Sequence, residues 1–250
     1  MGRSDDIVFI KQQGAMRTGT NLVKFLLEEN FTNARVLVNI GRWKHATAET
    51  PLNWSGINWE GEGRSVDVLS RINREDLSAA RAAFDAGAVK FAISVRDIYS
   101  WLVSYIRFRC LNDMCHVPPL KELPREHIVE ALKQWNALYE SYLSLLDSGD
   151  HGAMLFRLED LLTNYSATLN RARLLWGLKP RHARYVRPNR YMRAGIDGQS
   201  RSELLHPALS FDRRQYLSNN SLTQFNDTEL AIIRRTVDDS VLRAYGYEFL

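Results

Sequence analysis

Apolar positions along the chain fall into two alternating patterns. Short, mostly β-branched or aromatic runs near 7–11, 35–40, 89–95 and 153–157 predict buried strands. Segments near 19–29, 75–86, 98–109, 125–147, 159–176 and 227–244 carry apolar residues at three- to four-residue spacing and predict helices. This alternation implies an α/β fold of three layers, a central parallel sheet flanked by helices. No repeat, low-complexity tract or linker interrupts it, so residues 1–250 read as a single domain. The stripe Trp135, Tyr139 and Tyr142 on the longest helix reads as packing against the sheet. Segment 46–74 has little periodicity; Trp54, Ile57 and Trp59 there either line a ligand pocket or form a small satellite core.

Between the first strand and the first helix stands Gly14-Ala15-Met16-Arg17-Thr18-Gly19-Thr20-Asn21. A glycine-containing turn from strand to helix aims backbone N–H groups and the positive helix end at one spot, which suits a phosphate. Gly14 and Gly19 have Walker A spacing, but Thr20 and Asn21 occupy the positions of the Walker lysine and Ser/Thr. That disfavours ordinary ATP or GTP hydrolysis. The cation sits inside the loop instead, at Arg17, whose guanidinium suits a forked contact to phosphate.

Arg96-Asp97 ends the predicted strand 89–95, and Ser104 follows Arg96 by eight residues on the next helix. Open α/β sheets bind ligands at the carboxyl ends of their strands. Arg96 and Ser104 are therefore candidates to hold a second phosphate.

Together these segments resemble the sulfotransferase family that uses 3′-phosphoadenosine 5′-phosphosulfate (PAPS). The family's 5′-phosphosulfate loop, Pro-Lys/Arg-Ser/Thr-Gly-Thr-Thr, is similar to Met16-Arg17-Thr18-Gly19-Thr20-Asn21, with departures at Met16 and Asn21. Its 3′-phosphate site, an Arg-Asp pair with a serine eight residues after the arginine and then an aromatic, resembles Arg96, Asp97, Ser104 and Tyr105. Its Arg-Tyr-Glu-Asp-Leu segment resembles Arg157-Leu158-Glu159-Asp160-Leu161, with Leu158 in place of the tyrosine. The resemblance implies a P-loop-like fold, PAPS as sulfuryl donor and adenosine 3′,5′-bisphosphate as product. Cofactor contacts are then expected from Arg17, Thr18, Gly19, Thr20, Asn21, Arg96 and Ser104. The sequence Tyr191-Met192-Arg193-Ala194-Gly195 resembles the family's Arg-Lys-Gly loop over the 3′-phosphate. It adds Arg193 and Gly195, with Arg201 as a second option, although such a segment is also what an ordinary surface loop looks like.

Sulfuryl transfer to a hydroxyl or amine requires a base. Lys44 and His45 follow the strand near 35–40, where the family's cytosolic members carry Lys-x-His. His45 is the expected general base, since an unperturbed histidine titrates near ~6.5. Lys44 and Arg17 are expected to offset charge developing in transfer. Glu49 and Glu60 are rival bases.

Composition adjusts this picture only slightly. The chain has 33 Lys+Arg against 29 Asp+Glu, an excess too modest and too undirected by any module to suggest nucleic acid. The densest basic stretch, 179–193, borders the Arg193 loop, and a cofactor surround accounts for it most simply; an acidic acceptor or a membrane surface is the other reading. Cys110, Cys115 and His116 fall short of the four ligands of a structural zinc site, and no metal is expected. His127, His151, His182 and His206 read as surface residues. No run reaches the ~18 apolar residues of a membrane span, and the polar start Met1-Gly2-Arg3-Ser4 does not read as a secretory leader. With two cysteines, this implies a soluble cytoplasmic protein of the bacterial kind. The acceptor stays open among small-molecule, carbohydrate and lipid classes, as does the oligomeric state. Two alternatives to a sulfotransferase remain: a P-loop small-molecule kinase and a non-catalytic nucleotide-binding relative.

Overall fold

The computed structural model describes residues 7–38, 44–48, 74–112, 125–147, 152–187, 190–192, 205–210 and 219–250. Four strands, β1 (Val8–Gly14), β2 (Ala34–Leu37), β3 (Lys90–Val95) and β4 (Ala153–Arg157), form one parallel sheet in the order β2-β1-β3-β4. Alternation sends Ile10, Val36, Ala92, Met154 and Phe156 to one face. There α1 (Thr20–Asn30) and α5 (Leu158–Trp176) cover them through Val23, Leu26, Leu27, Leu161, Leu169 and Trp176. Phe91, Ile93 and Val95 face the opposite way, against α3 (Ile98–Asn112) and α4 (Arg125–Asp147). Phe9 and Leu37 meet Ala80 and Phe84 of α2 (Arg74–Asp85). The result is the expected three-layer α/β arrangement.

The order has a consequence for ligands. The connection β1–α1–β2 leaves β1 to one side, and the connection through α2 returns across β1 to place β3 on its other side. Connections diverge between β1 and β3, and at such a switch point the carboxyl ends of the strands border a crevice. The loops carrying Arg17 and Arg96 leave from these two ends.

Three elements differ from the sequence expectation. The helix expected at 227–244 is two, α6 (Asp227–Thr236) and α7 (Asp239–Ala244). Asp238 caps α7 by accepting from the Ser240 and Val241 amides, and Asn136 of α4 bridges the break by donating to Thr236 O and accepting from Asp238 N. An antiparallel ribbon of β5 (Arg190–Met192) and β6 (Leu205–Ser210) was not foreseen, because no tight hairpin turn separates its strands. Third, β1 continues past its apolar start through Lys11, Gln12 and Gln13, all buried. Polar side chains inside a sheet need partners: Lys11 Nζ donates to Val38 O at 2.8 Å, and Gln12 Nε2 donates to Thr20 O at the start of α1.

Candidate functional site

The loop after β1 is shaped by backbone that glycine permits. Gly14 has φ 150°, and a Cβ there would stand 2.7 Å from Ser94 O. Gly19 has φ 86°, and its added Cβ would meet Leu158 Cδ1 at 2.8 Å. Arg17 between them also has positive φ, 72°, a conformation a non-glycine residue adopts only when its surroundings hold it. Thr18 turns inward, its hydroxyl donating to Ala15 O at 2.7 Å, so this side chain builds the loop. Gly19 is the N-cap of α1, with no side-chain cap and no acidic residue in the first turn. The helix start therefore keeps its positive character and its N–H groups available to an anion.

Cations converge on this turn. Arg17 is exposed; its Nε donates to Ser104 Oγ at 3.2 Å, and its guanidinium lies 5.4 Å from the Phe108 ring centroid. Arg96 is buried, its Nε donating to Ser100 Oγ at 2.9 Å and its Nη1 to Arg17 O at 3.4 Å. The fold thus brings Arg17, Arg96 and Ser104 into one contact network. Asp97 does not serve mainly as the arginine's ion-pair partner: it caps α3 by accepting from Ser100 N at 2.9 Å. Burial pushes its carboxyl above the usual range. Glu159 completes the junction. One carboxylate oxygen accepts from Asp97 N at 3.0 Å and the other from Tyr247 Oη at 2.6 Å.

Lys44 and His45 arrive from the far side of the loop. The backbone fixes them there, because Gly14 N donates to Lys44 O at 3.0 Å. Their side chains diverge but both reach the loop. Lys44 is buried and its Nζ donates to Asn21 Oδ1 at 2.8 Å, so an ammonium reaches the helix start although Thr20 holds the Walker lysine position. His45 Nδ1 donates to Gly14 O at 2.5 Å, which fixes the tautomer with its lone pair on Nε2. Its pKa is lowered to about 4 by burial, then by the Lys44 and Lys11 charges, against the opposing effect of the Gly14 hydrogen bond. The expectation of a near-neutral titration is thereby corrected: His45 is uncharged throughout the physiological range because it is half-buried among cations.

Sequence reasoning missed the groups that hold this arrangement. Tyr139, Tyr142 and Trp135 are buried in the core as expected of a packing stripe. Two of them also end in hydroxyls that fix the loops. Tyr139 Oη accepts from Ala15 N at 3.3 Å and donates to Ser94 O at 2.8 Å; Tyr142 Oη donates to Ala46 O at 2.7 Å. Ser141 Oγ accepts from Ala48 N at 2.9 Å, and Trp101 Nε1 of α3 donates to Met16 O at 2.8 Å. The available signal was tyrosine rather than phenylalanine within an apolar stripe. Ser100 was legible too, four residues after Arg96 at the opening of a helix.

Arg193, Gly195, Arg201, Glu49, Glu60, Trp54, Ile57, Trp59, Cys115 and His116 lie outside the described residues. Among the described residues no group of three His, Cys, Asp or Glu is arranged to hold a metal, and no helix is long and apolar enough to cross a membrane. His127 and His182 are exposed. Basic residues 179–187 do not border the site. They lie by the amino-terminal end of β1, where Lys179 N donates to Asn33 Oδ1 and Val8 N to Asn33 O. No protein-family model matches the chain, and no curated protein matches it either.

The site can neutralise a multiply charged anion along the β1–β3 crevice and offers a neutral imidazole on the opposite flank of the loop. Buried Gln13 Oε1 and Ser94 Oγ, at the carboxyl ends of the same two strands, have no hydrogen-bond partner among the described residues. Polar atoms left in this state at a crevice fit the binding of a polar group.

Proposed function

We propose that this chain is a sulfotransferase with a P-loop-like fold, moving a sulfuryl group from PAPS to the hydroxyl or amine of a small-molecule, carbohydrate or lipid acceptor. What supports the reading most is the Arg17–Ser104–Arg96 network, which joins a phosphate-type loop to the end of the neighbouring strand. A mononucleotide with phosphates at both ends of its ribose asks for two such anion sites side by side.

The residues present fit that ligand. Arg17, the Gly19, Thr20 and Asn21 helix start and Lys44 would oppose the charge of its 5′ end. Arg96 and Ser104 would hold the 3′-phosphate. The bound donor supplies an activated sulfuryl group whose leaving group is adenosine 3′,5′-bisphosphate. His45 Nε2 would accept the proton of the attacking acceptor. In the free protein His45 is a weak base, because burial first, and then the Lys44 and Lys11 charges, depress its affinity for a proton. An anion bound against Lys44 offsets that effect and raises its basicity where the proton must be taken.

Calorimetric titration tests the reading, with adenosine 3′,5′-bisphosphate and with ATP, on the native chain and on Arg96→Ala. Preference for the bisphosphate, lost in the variant, is expected. Equal or stronger ATP binding, or indifference to Arg96, overturns the assignment in favour of a P-loop small-molecule kinase. Sulfuryl transfer from PAPS then separates an enzyme from a non-catalytic binder: His45→Asn should abolish transfer and retain bisphosphate affinity.

A further inference from the structure

The excess basic charge of this chain lies at the opposite end of the sheet from the candidate site. Segment 171–187 contains Arg171, Arg173, Lys179, Arg181, Arg184 and Arg187 and no acidic residue. Without these six the chain has 27 basic against 29 acidic residues, so its whole positive excess resides here. The segment sits by the start of β1, and β1 is seven residues long, so roughly 20 Å of strand separates it from the loop carrying Arg17. An anionic cofactor in the β1–β3 crevice does not explain it.

The surface is built as a unit. Arg171, Leu174 and Leu175 stand at i, i+3 and i+4 on one face of α5. After Gly177 the chain folds back along that helix. Tyr185 Oη donates to Asn170 Oδ1 at 2.8 Å, one turn before Leu174, and Tyr165 Oη donates to Tyr185 O at 3.2 Å. Asn30, fully buried, clasps Val186 by donating to its carbonyl and accepting from its amide. Arg184 and Arg187 are thereby held beside the α5 face, both exposed. Among the described residues, Glu29 of α1 approaches this surface, 3.8 Å from His182. Within this cationic field Leu174 is 73% and Leu175 53% exposed, and Val186 38%.

We propose that this face docks peripherally on an anionic lipid bilayer. Clustered Arg and Lys answer the negative surface of such a bilayer. The leucines decide between polyanions. Exposed apolar side chains amid cations have no complement in a nucleic-acid backbone, whereas at a bilayer they enter the boundary of headgroups and acyl chains. Docked this way, the carboxyl ends of β1 and β3 lie at the end of the sheet away from the membrane.

Vesicle co-sedimentation tests this with the full chain, using phosphatidylcholine alone and phosphatidylcholine mixed with phosphatidylglycerol. Arg171→Glu/Arg184→Glu and Leu174→Ser/Leu175→Ser are compared with the native protein, and each variant's thermal melt reports its fold. All four side chains are exposed and none makes a hydrogen bond among the described residues, so both variants should melt as the native chain does. Binding to the anionic vesicles only, weakened by salt, is expected, with a loss of about tenfold or more in the charge variant and of several-fold in the leucine variant. No preference for anionic vesicles overturns the proposal. So does an unchanged leucine variant, or duplex DNA that competes the protein off the vesicles, since either identifies a general polyanion surface.

Discussion

Arg17 Nε donates to Ser104 Oγ across 3.2 Å, joining the loop after β1 to the second turn of α3. The contact sets the direction of a guanidinium whose own backbone is held at φ 72°. Ser104→Ala removes this anchor and a hydroxyl donor together. Its affinity for adenosine 3′,5′-bisphosphate should fall by roughly 5- to 30-fold, the equivalent of about 1–2 kcal/mol. Calorimetry measures the loss, and an unchanged affinity would remove Ser104 from the site.

Gly19 is constrained twice, by φ 86° and by the 2.8 Å approach of Leu158 Cδ1 to an added Cβ. Gly19→Ala should lower stability by about 1–3 kcal/mol. Adding Leu158→Ala relieves the crowding and leaves the backbone cost. In the Leu158→Ala background the glycine substitution should therefore cost less than in the native chain. Urea denaturation of the four proteins in the cycle reads this difference.

Tyr139→Phe keeps the ring in its packed position and deletes the hydroxyl that serves Ala15 N and Ser94 O. Both partners lie in buried residues, and leaving such groups unsatisfied should cost about 1–3 kcal/mol. Ligand affinity should drop as well, since Ala15 belongs to the loop proposed to hold the anion. A Tyr139→Phe variant as stable as the native chain would contradict this role.

His45 gives stability a pH dependence of defined sign. Its pKa is about 4 in the fold against 6.5 for an unperturbed histidine, so between these values the unfolded chain binds more protons. The contribution is complete above pH 6.5, shrinks as pH falls, and is fully lost below 4; it amounts to roughly 3 kcal/mol. Unfolding midpoints measured in urea across that window should rise with pH. His45→Asn, which retains an amide donor for Gly14 O, should flatten the rise. An NMR titration finding the imidazole midpoint near 6.5 would refute the cause assigned here.

The sheet and its covering helices were legible because one pattern of burial determines both period and layer. Ile10, Ala92 and Phe156 alternate with residues facing the other way, and Val23, Leu26 and Leu27 recur at helical spacing. Arg17, Arg96 and Ser104 were found from strand-end position and spacing. The polar half of β1 was not, because burial of Lys11 and Gln12 rests on backbone carbonyls outside the strand, at Val38 and Thr20. Nor was the environment of His45, where Lys11 and Gly14 both come from β1, more than thirty residues earlier. The break between α6 and α7 depends on Asn136, a hundred residues earlier, and no local pattern announces it.

Tyr139 has a further meaning for how the molecule is made. It lies 124 residues after Ala15, and its own carbonyl accepts from the Tyr245 hydroxyl, 106 residues later still. Bonds so distant in sequence close late, since loop closure must precede them. During synthesis the strand β1 and helix α1 emerge first, but the turn between them has only its own Thr18 hydroxyl, and no Tyr139 hydroxyl, to hold it until more than half the chain has left the ribosome. Ribosome-stalled chains ending before Tyr139 should therefore exchange the Ala15 amide freely, and chains reaching past Tyr245 should protect it. The loop proposed above to hold an anion is thus among the last parts of the molecule to become rigid.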